Sequence, residues 1–328
     1  MPVTVLTYDP ETGISSFDTI AEDLRIPERG AVWIDIYSSD GLELNQIAQR
    51  FGLHELTVED CLTPDHFPKI EEFGSYLFIL LRGLRTSLTG EATTFGDEPF
   101  THKLAIYLSN RFIITYRRQE ISWLDALARQ VHQNPEKTLL LGPDALAHRV
   151  IDILFDRFER GLEQYERLID GYEKRTAHSP EDFEMFEVLE LKSKLVSLRQ
   201  ICRAQRSIIL KLSGDQLNLI DPARLRYFKD IDDQAISLIN TIDKQIDATQ
   251  SLRDSYFALS NVRLGDTMRV LAVITTLLAP LNVIAGLYGM NFVHIPMLHS
   301  PNGFWIIVAV MGVSTALLLV LFKRKRWF

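Results

Sequence analysis

Val270-Leu271-Ala272-Val273-Ile274-Thr275-Thr276-Leu277-Leu278-Ala279-Pro280-Leu281-Asn282-Val283-Ile284-Ala285-Gly286-Leu287 runs directly into Tyr288-Gly289-Met290-Asn291-Phe292, and a second apolar run, Phe304 to Phe322, follows. Between Arg269 and Lys323 there is no Asp, Glu, Lys or Arg. Each run has about the length needed to cross a ~30 Å hydrocarbon layer, roughly 20 residues at 1.5 Å rise. A single run of this kind can be the core helix of a soluble protein. Two in tandem, closed by Lys323-Arg324-Lys325-Arg326, predict two membrane spans.

Basic residues set the orientation. The loop between the spans has none, Arg263 and Arg269 precede the first span, and the Lys/Arg cluster follows the second. The positive-inside bias therefore predicts both ends in the cytoplasm, with the Gly-Met-Asn turn outside a bacterial-type inner membrane. Tyr288, Phe292 and Trp305 fall at the outer interface and Trp327 at the inner one.

The chain has 328 residues and a formal charge of −8, and the basic tail leaves the rest more acidic still. That balance argues against a nucleic-acid partner and suits cations. Cys61 and Cys202 have no paired spacing, which fits a reducing compartment and excludes a disulfide framework. Met1-Pro2-Val3-Thr4 opens no signal-peptide pattern, so none is expected. No His-x-x-x-His, phosphate-binding Gly loop or nucleophile motif is present, and no enzyme activity or cofactor is expected.

Residues 1–138 read as a cytoplasmic α/β domain. Strands are predicted at Val3–Tyr8, Val32–Ile36, Tyr76–Leu81, Lys103–Leu108 and Phe112–Tyr116, the last two as a hairpin around Ser109-Asn110. Helices are predicted at Leu42–Phe51 and Ile121–Gln133. Residues 139–269 read as a long-helix stalk. One helix runs from about Asp144 to Thr176. A second, capped by Ser179-Pro180-Glu181-Asp182, runs to about Ser213. A third starts at Asp221-Pro222 and continues without a break into the first span. Segments 270–288, 289–303, 304–322 and 323–328 are then the first span, outer loop, second span and basic tail.

A helix from Pro222 to Tyr288 is about 100 Å long, too long for one globular core, so a symmetric bundle of copies is expected to bury it. Its stripe Phe228, Ile231, Ala235, Leu238, Ile242 and Ile246 fits such a bundle, or an intramolecular hairpin with the two preceding helices.

Asn282 is the strongly polar residue of the first span. Steps of three and four from it reach Gly286 and Gly289 outward, and Ala279, Thr275, Leu271, Met268, Gly265, Asn261, Phe257 and Asp254 inward. The opposite face holds Leu277, Val273, Val270 and Ile284. Polar groups in lipid face protein or water, so this strip is expected to line a pore; the alternative is a bond from Asn282 to Ser314 or Thr315 of the second span. Amides suit a hydrated magnesium ion, which dehydrates reluctantly, while rings of Leu271 and Met268 gate by dewetting. Asp254 would concentrate cations at the inner end.

These residues resemble the CorA family of magnesium transport proteins. The likeness is carried by Pro280 to Phe292 with its Gly289-Met290-Asn291 signature, followed by a second span and basic tail. Val58-Glu59-Asp60 with Phe67-Pro68-Lys69-Ile70-Glu71, and Tyr227-Phe228-Lys229-Asp230-Ile231-Asp232-Asp233, also resemble family segments. The resemblance implies a funnel-shaped homopentamer whose entrance is Gly289, Met290 and Asn291. It also implies regulatory divalent-cation sites between subunits, matched here by Glu59, Asp60, Asp152 and Asp230, which keep the pore shut while intracellular magnesium is high. The chain departs from the family in its outer loop, which carries His294 and His299 in place of an acid, and in having Gly265 and Ala279 at positions where larger pore residues are common.

Three functions remain open on the sequence. The first is a channel for hydrated divalent cations, Mg2+ foremost with Co2+ or Ni2+. The second is a ZntB-like zinc transporter, proton-coupled or not, favoured by the two histidines. The third is a membrane-anchored coiled-coil scaffold that transports nothing.

Overall fold

The computed structural model describes residues 3–9, 13–17, 26, 31–63, 66–85, 100–178, 185–214, 217–291, 295–297, 300–325 and 327. The chain forms two compact units, residues 1–175 with 184–251, and residues 252–328 with 176–183.

The first unit is built on a seven-stranded sheet of β1 (Val3–Asp9), β2 (Gly13–Phe17), β3 (Ala31–Tyr37), β4 (Lys69–Glu72), β5 (Leu77–Leu84), β6 (Thr101–Leu108) and β7 (Phe112–Arg117), in the order β2-β1-β3-β7-β6-β5-β4. Alternation decides which face each side chain serves. Leu77, Ile79 and Leu81 of β5 enter one core, and Phe78 and Leu80 enter the other. The second core holds Leu44 and Ile47 of α1 (Leu42–Phe51) with Val58 and Cys61 of α2 (Glu55–Leu62). The first core joins the sheet to α3 (Ser122–Gln133), α4 (Pro143–His178), α5 (Met185–Leu212) and α6 (Leu225–Tyr288).

The hairpin predicted around Ser109-Asn110 forms, with Ala105 opposite Tyr116 and Leu108 opposite Ile113. All other pairs are antiparallel except β3 with β7. In that parallel pair Thr115 lies opposite Asp35 and donates its hydroxyl to the carboxylate at 2.6 Å. Arg117 Nη2 reaches the other oxygen at 2.8 Å. The buried charge is thus paired and hydrogen-bonded, the condition under which burial is tolerated.

The stripe Phe228, Ile231, Ala235, Leu238, Ile242 and Ile246 is buried within the single chain, in the core shared with α4 and α5. It is therefore consumed by the intramolecular hairpin and does not argue for a bundle of copies. Residue 138, the expected end of the α/β part, lies between α3 and α4 within the first unit.

In the second unit α6 continues to Tyr288 with Pro280 inside it, and α7 (Gly303–Arg324) follows. Both are long and apolar enough to cross a membrane. The rest of the chain buries 6 % of the apolar window of α6 and 0 % of that of α7, so neither is a core helix. The cap expected at 179–182, the Phe292 ring, His294 and His299 lie outside the described residues.

Candidate functional site

The C-terminal end of α6 is closed by backbone contacts of the signature residues. Gly289 N–H donates to the Ala285 carbonyl at 2.9 Å and Met290 N–H to that of Leu287 at 3.4 Å. A Cβ on Gly289 would stand 3.1 Å from the Ala285 oxygen, so glycine suits this tight ending. Asn291 follows, exposed. The chain returns through a turn in which Met297 has φ 69°, and Ser300 N–H donates to the Met297 carbonyl at 3.1 Å.

Within the span, Val273 is buried and Leu277, Pro280, Leu281, Ile284 and Tyr288 are half-buried, all on one side of α6. Thr275, Ala279, Asn282 and Gly286 are exposed, as are Leu271, Met268, Gly265, Asn261, Phe257 and Asp254 toward the N-terminal end of α6. A Cβ on Gly265 or Gly286 would meet nothing within 4 Å. The hydroxyls are already satisfied along their own helices. Thr275 donates to the Leu271 carbonyl at 2.8 Å, and Ser314 and Thr315 donate to that of Met311 at 2.8 and 2.9 Å. Ser314 and Thr315 thus spend their protons on backbone, leaving Asn282 on the exposed arc. Ile274, Leu278, Val283 and Leu287 share that arc. One partner span covers only a narrow face of a helix, so further neighbours or lipid must cover the remainder. Asp254, 68 % exposed, accepts from Arg253 at 2.9 Å.

The four regulatory candidates do not converge. Among the described residues no group of three or more His, Cys, Asp or Glu side chains is arranged to hold a metal ion. Glu59 and Asp230 are exposed on α2 and α6. Asp152 on α4 pairs with Arg149 at 2.9 Å. Asp60 is buried, with His66 Nε2 at 2.9 Å from one oxygen and Lys69 Nζ at 2.5 Å from the other. Burial alone would lower the Lys69 pKa, but its hydrogen bonds to Asp60 and Glu71 win and hold it above the ordinary value.

Sequence reading missed the groups that place this segment. Lys103 Nζ donates to the carbonyl of Asp60 at 2.6 Å and also to that of Thr63. Arg118 Nη1 donates to the Leu62 carbonyl at 2.8 Å. Two cations from β6 and the strand end at β7 therefore satisfy the last turn of α2, where orphan carbonyls and the helix dipole favour positive charge. Burial brings the Lys103 pKa down to about 8.

Residues 28–324 match the family described as "CorA-like Mg2+ transporter protein". The chain belongs to the CorA-like Mg2+ transporter family. It is 29 % identical over 332 residues to the cobalt/magnesium transport protein CorA of Thermotoga maritima, an alignment covering 99 % of this chain and 92 % of that protein. Its fold matches the complete structure of the CorA magnesium transporter from Methanocaldococcus jannaschii with TM-score 0.84 at 22 % identity, covering 100 % of this chain and 99 % of the other. The ZntB cytoplasmic domain from Vibrio parahaemolyticus aligns over 80 % of this chain and 99 % of its own, with TM-score 0.62 and 14 % identity. The two structural likenesses concern fold alone. CorA-family proteins are transporters, not enzymes, and this membership removes the scaffold reading.

Proposed function

We propose that this chain conducts hydrated divalent cations, magnesium foremost, through a pore formed where the α6 helices of five copies surround one axis. The observation that carries this reading is the position of Gly289-Met290-Asn291 at the outer end of a span whose exposed side bears Asn282, Thr275, Ala279 and Gly286. Asn291 holds the hydrated ion at the mouth through its amide, with Gly289 and Met290 shaping the turn. An ion that keeps its water needs hydrogen-bond partners for that water, and amides supply them without demanding dehydration. Asn282 and Thr275 repeat the same chemistry inside, Leu271 and Met268 form a constriction, and Asn261 and Asp254 lead to the cytoplasm. Both termini lie in the cytoplasm by the distribution of Lys and Arg. The segments 1–138, 139–269, 270–288, 289–303, 304–322 and 323–328 then serve as sensor, stalk, pore helix, mouth, outer helix and anchor.

Regulation is proposed to run through divalent ions between subunits. Glu59, Asp152 and Asp230, exposed or half-exposed, offer carboxylates to a neighbouring copy. When intracellular magnesium falls these sites empty and the closed state loses its ligand-linked stabilisation. Asp60 joins such a site only by leaving Lys69 or His66.

The test is flux into liposomes containing purified protein, with Mg2+, Co2+, Ni2+ and Zn2+, with and without a pH gradient. Magnesium influx that follows membrane potential and disappears in Asn291→Ala is expected. Zinc flux that requires the pH gradient would replace this reading with a zinc transporter.

A further inference from the structure

The first unit contains a cavity of about 590 Å³ between the end of α3, the turns before α4, and the first turns of α4 and α6. That volume lies in the range of small-ligand pockets. Leu127, Leu141 and Ala145 give it an apolar wall, and the Tyr227 ring adds a flat aromatic surface. The remaining lining is rich in cations, although the chain as a whole is acidic.

The charges do not cancel locally. Arg149 is answered by Asp152 at 2.9 Å and Arg224 by Asp144 at 2.7 Å. Lys137 and Arg226 are exposed and have no carboxylate partner among the described residues. Arg226 instead lies over the Tyr227 ring, 5.1 Å from its centroid. Asp221 is the carboxylate of the lining, and it accepts from the Ala223 N–H at 2.9 Å, so it serves as a turn cap. Two cations without an ion-pair partner, Lys137 and Arg226, thus border an apolar wall that also carries one carboxylate, Asp221, with the Gln130 amide beside it.

We propose that this cavity binds a phosphate-bearing organic anion of nucleotide size. Its phosphates meet Lys137 and Arg226, and its planar base lies on the wall of Leu127 and Leu141 with Gln130 at its polar edge. Phosphate favours such sites because charge-assisted hydrogen bonds to Lys and Arg are stronger than neutral ones. The apolar wall gives the base a surface that inorganic phosphate cannot use. Arg226 and Tyr227 belong to the first turn of α6, one turn before Asp230, so the ligand sits at the root of the helix that becomes the first span. Binding itself does not depend on the transport reading.

The experiment is calorimetric titration of the full chain in detergent micelles, in EDTA so that the ligand chelates no metal. ATP is titrated, with tripolyphosphate and adenosine as separate arms. Saturable ATP binding, tighter than either arm, is expected. Lys137→Glu and Arg226→Glu, both exposed positions, are each expected to weaken it about tenfold or more, the loss of one hydrogen bond to a charged group. The proposal is overturned if ATP does not bind saturably, if tripolyphosphate binds as tightly, or if both charge reversals leave affinity unchanged while circular dichroism reports an intact fold.

Discussion

Lys69 Nζ lies 2.5 Å from the Asp60 carboxylate, whose other oxygen is 2.9 Å from His66 Nε2. The acid that resembles a regulatory metal ligand is therefore already neutralised inside its own chain. Its side chain is 10 % exposed, so removing its charge leaves the half-buried Lys69 with Glu71, 3.0 Å away, as its carboxylate partner. Asp60→Asn is expected to lower stability by about 1–3 kcal/mol, the loss of a hydrogen bond between charged groups in a buried setting. Asp230→Lys, at an exposed position, is expected to leave stability within about 0.5 kcal/mol and to weaken inhibition by intracellular magnesium. Thermal unfolding and magnesium inhibition of flux, measured on both variants, separate the two roles. Equal behaviour of the variants in both assays would reject the distinction.

Gly286 has open space where a Cβ would stand, since nothing in the chain lies within 4 Å of it. Within one chain Gly286→Ala should stabilise the helix by about 0.5–1 kcal/mol. If α6 faces a narrow shared conduit, the added methyl groups instead reduce flux severalfold. Undiminished flux in the alanine variant would place Gly286 away from the pore.

Gly303 opens α7 with its Cα against the Met297 carbonyl, and any Cβ there would overlap that oxygen. Gly303→Ala must shift the turn or the helix start, at a cost of about 1–3 kcal/mol. Because the same turn brings the chain back from Asn291, transport should fall together with thermal stability. Gly312→Ala, inside α7 with nothing within 4 Å of its Cβ, is the matched control; it should leave transport unchanged and thermal stability no lower than wild type.

His102 on β6 lies opposite Gly83, which leaves room for the imidazole; a Cβ on Gly83 would stand 2.5 Å from Nε2. Burial first, and then the charges of Arg157, Arg85, Arg117 and Arg82, depress its pKa from 6.5 to about 4. Below pH 6.5 the unfolded chain takes up a proton that the folded chain refuses. Stability should therefore fall as pH drops from 6.5 toward 4, and this group contributes no slope above that window. Urea midpoints of wild type and His102→Gln across this range check it, and the variant should show the shallower decline.

How much of this was legible beforehand depends on where each signal resides. The helix α1 was predicted at its observed bounds because its apolar positions recur at helical spacing between Gly41 and Gly52, both of which have positive φ. The strands β3, β5, β6 and β7 were found because they are continuous β-branched and aromatic runs buried on both faces. Three elements escaped. The strand β4, Lys69-Ile70-Glu71-Glu72, lies at the sheet edge, where charges discourage further pairing and erase the apolar pattern. The strand β2 is a short strand at the other edge. The helix α2 has eight residues and starts from His54, whose Nδ1 accepts the Leu56 N–H in place of the usual Ser, Thr, Asp or Asn cap.

The amino-acid order alone determined the membrane spans, the Gly-Met-Asn turn between them and the family, because each is written in contiguous residues whose charge and hydropathy act locally. Tertiary structure decided that Phe228 to Ile246 is buried against α4 and α5, that β3 runs parallel to β7, and that Asp60 belongs to Lys69 and His66. Those outcomes rest on contacts between separate elements, in which burial of a shared apolar face and neutralisation of a half-buried charge select one partner among several that the linear pattern allows equally.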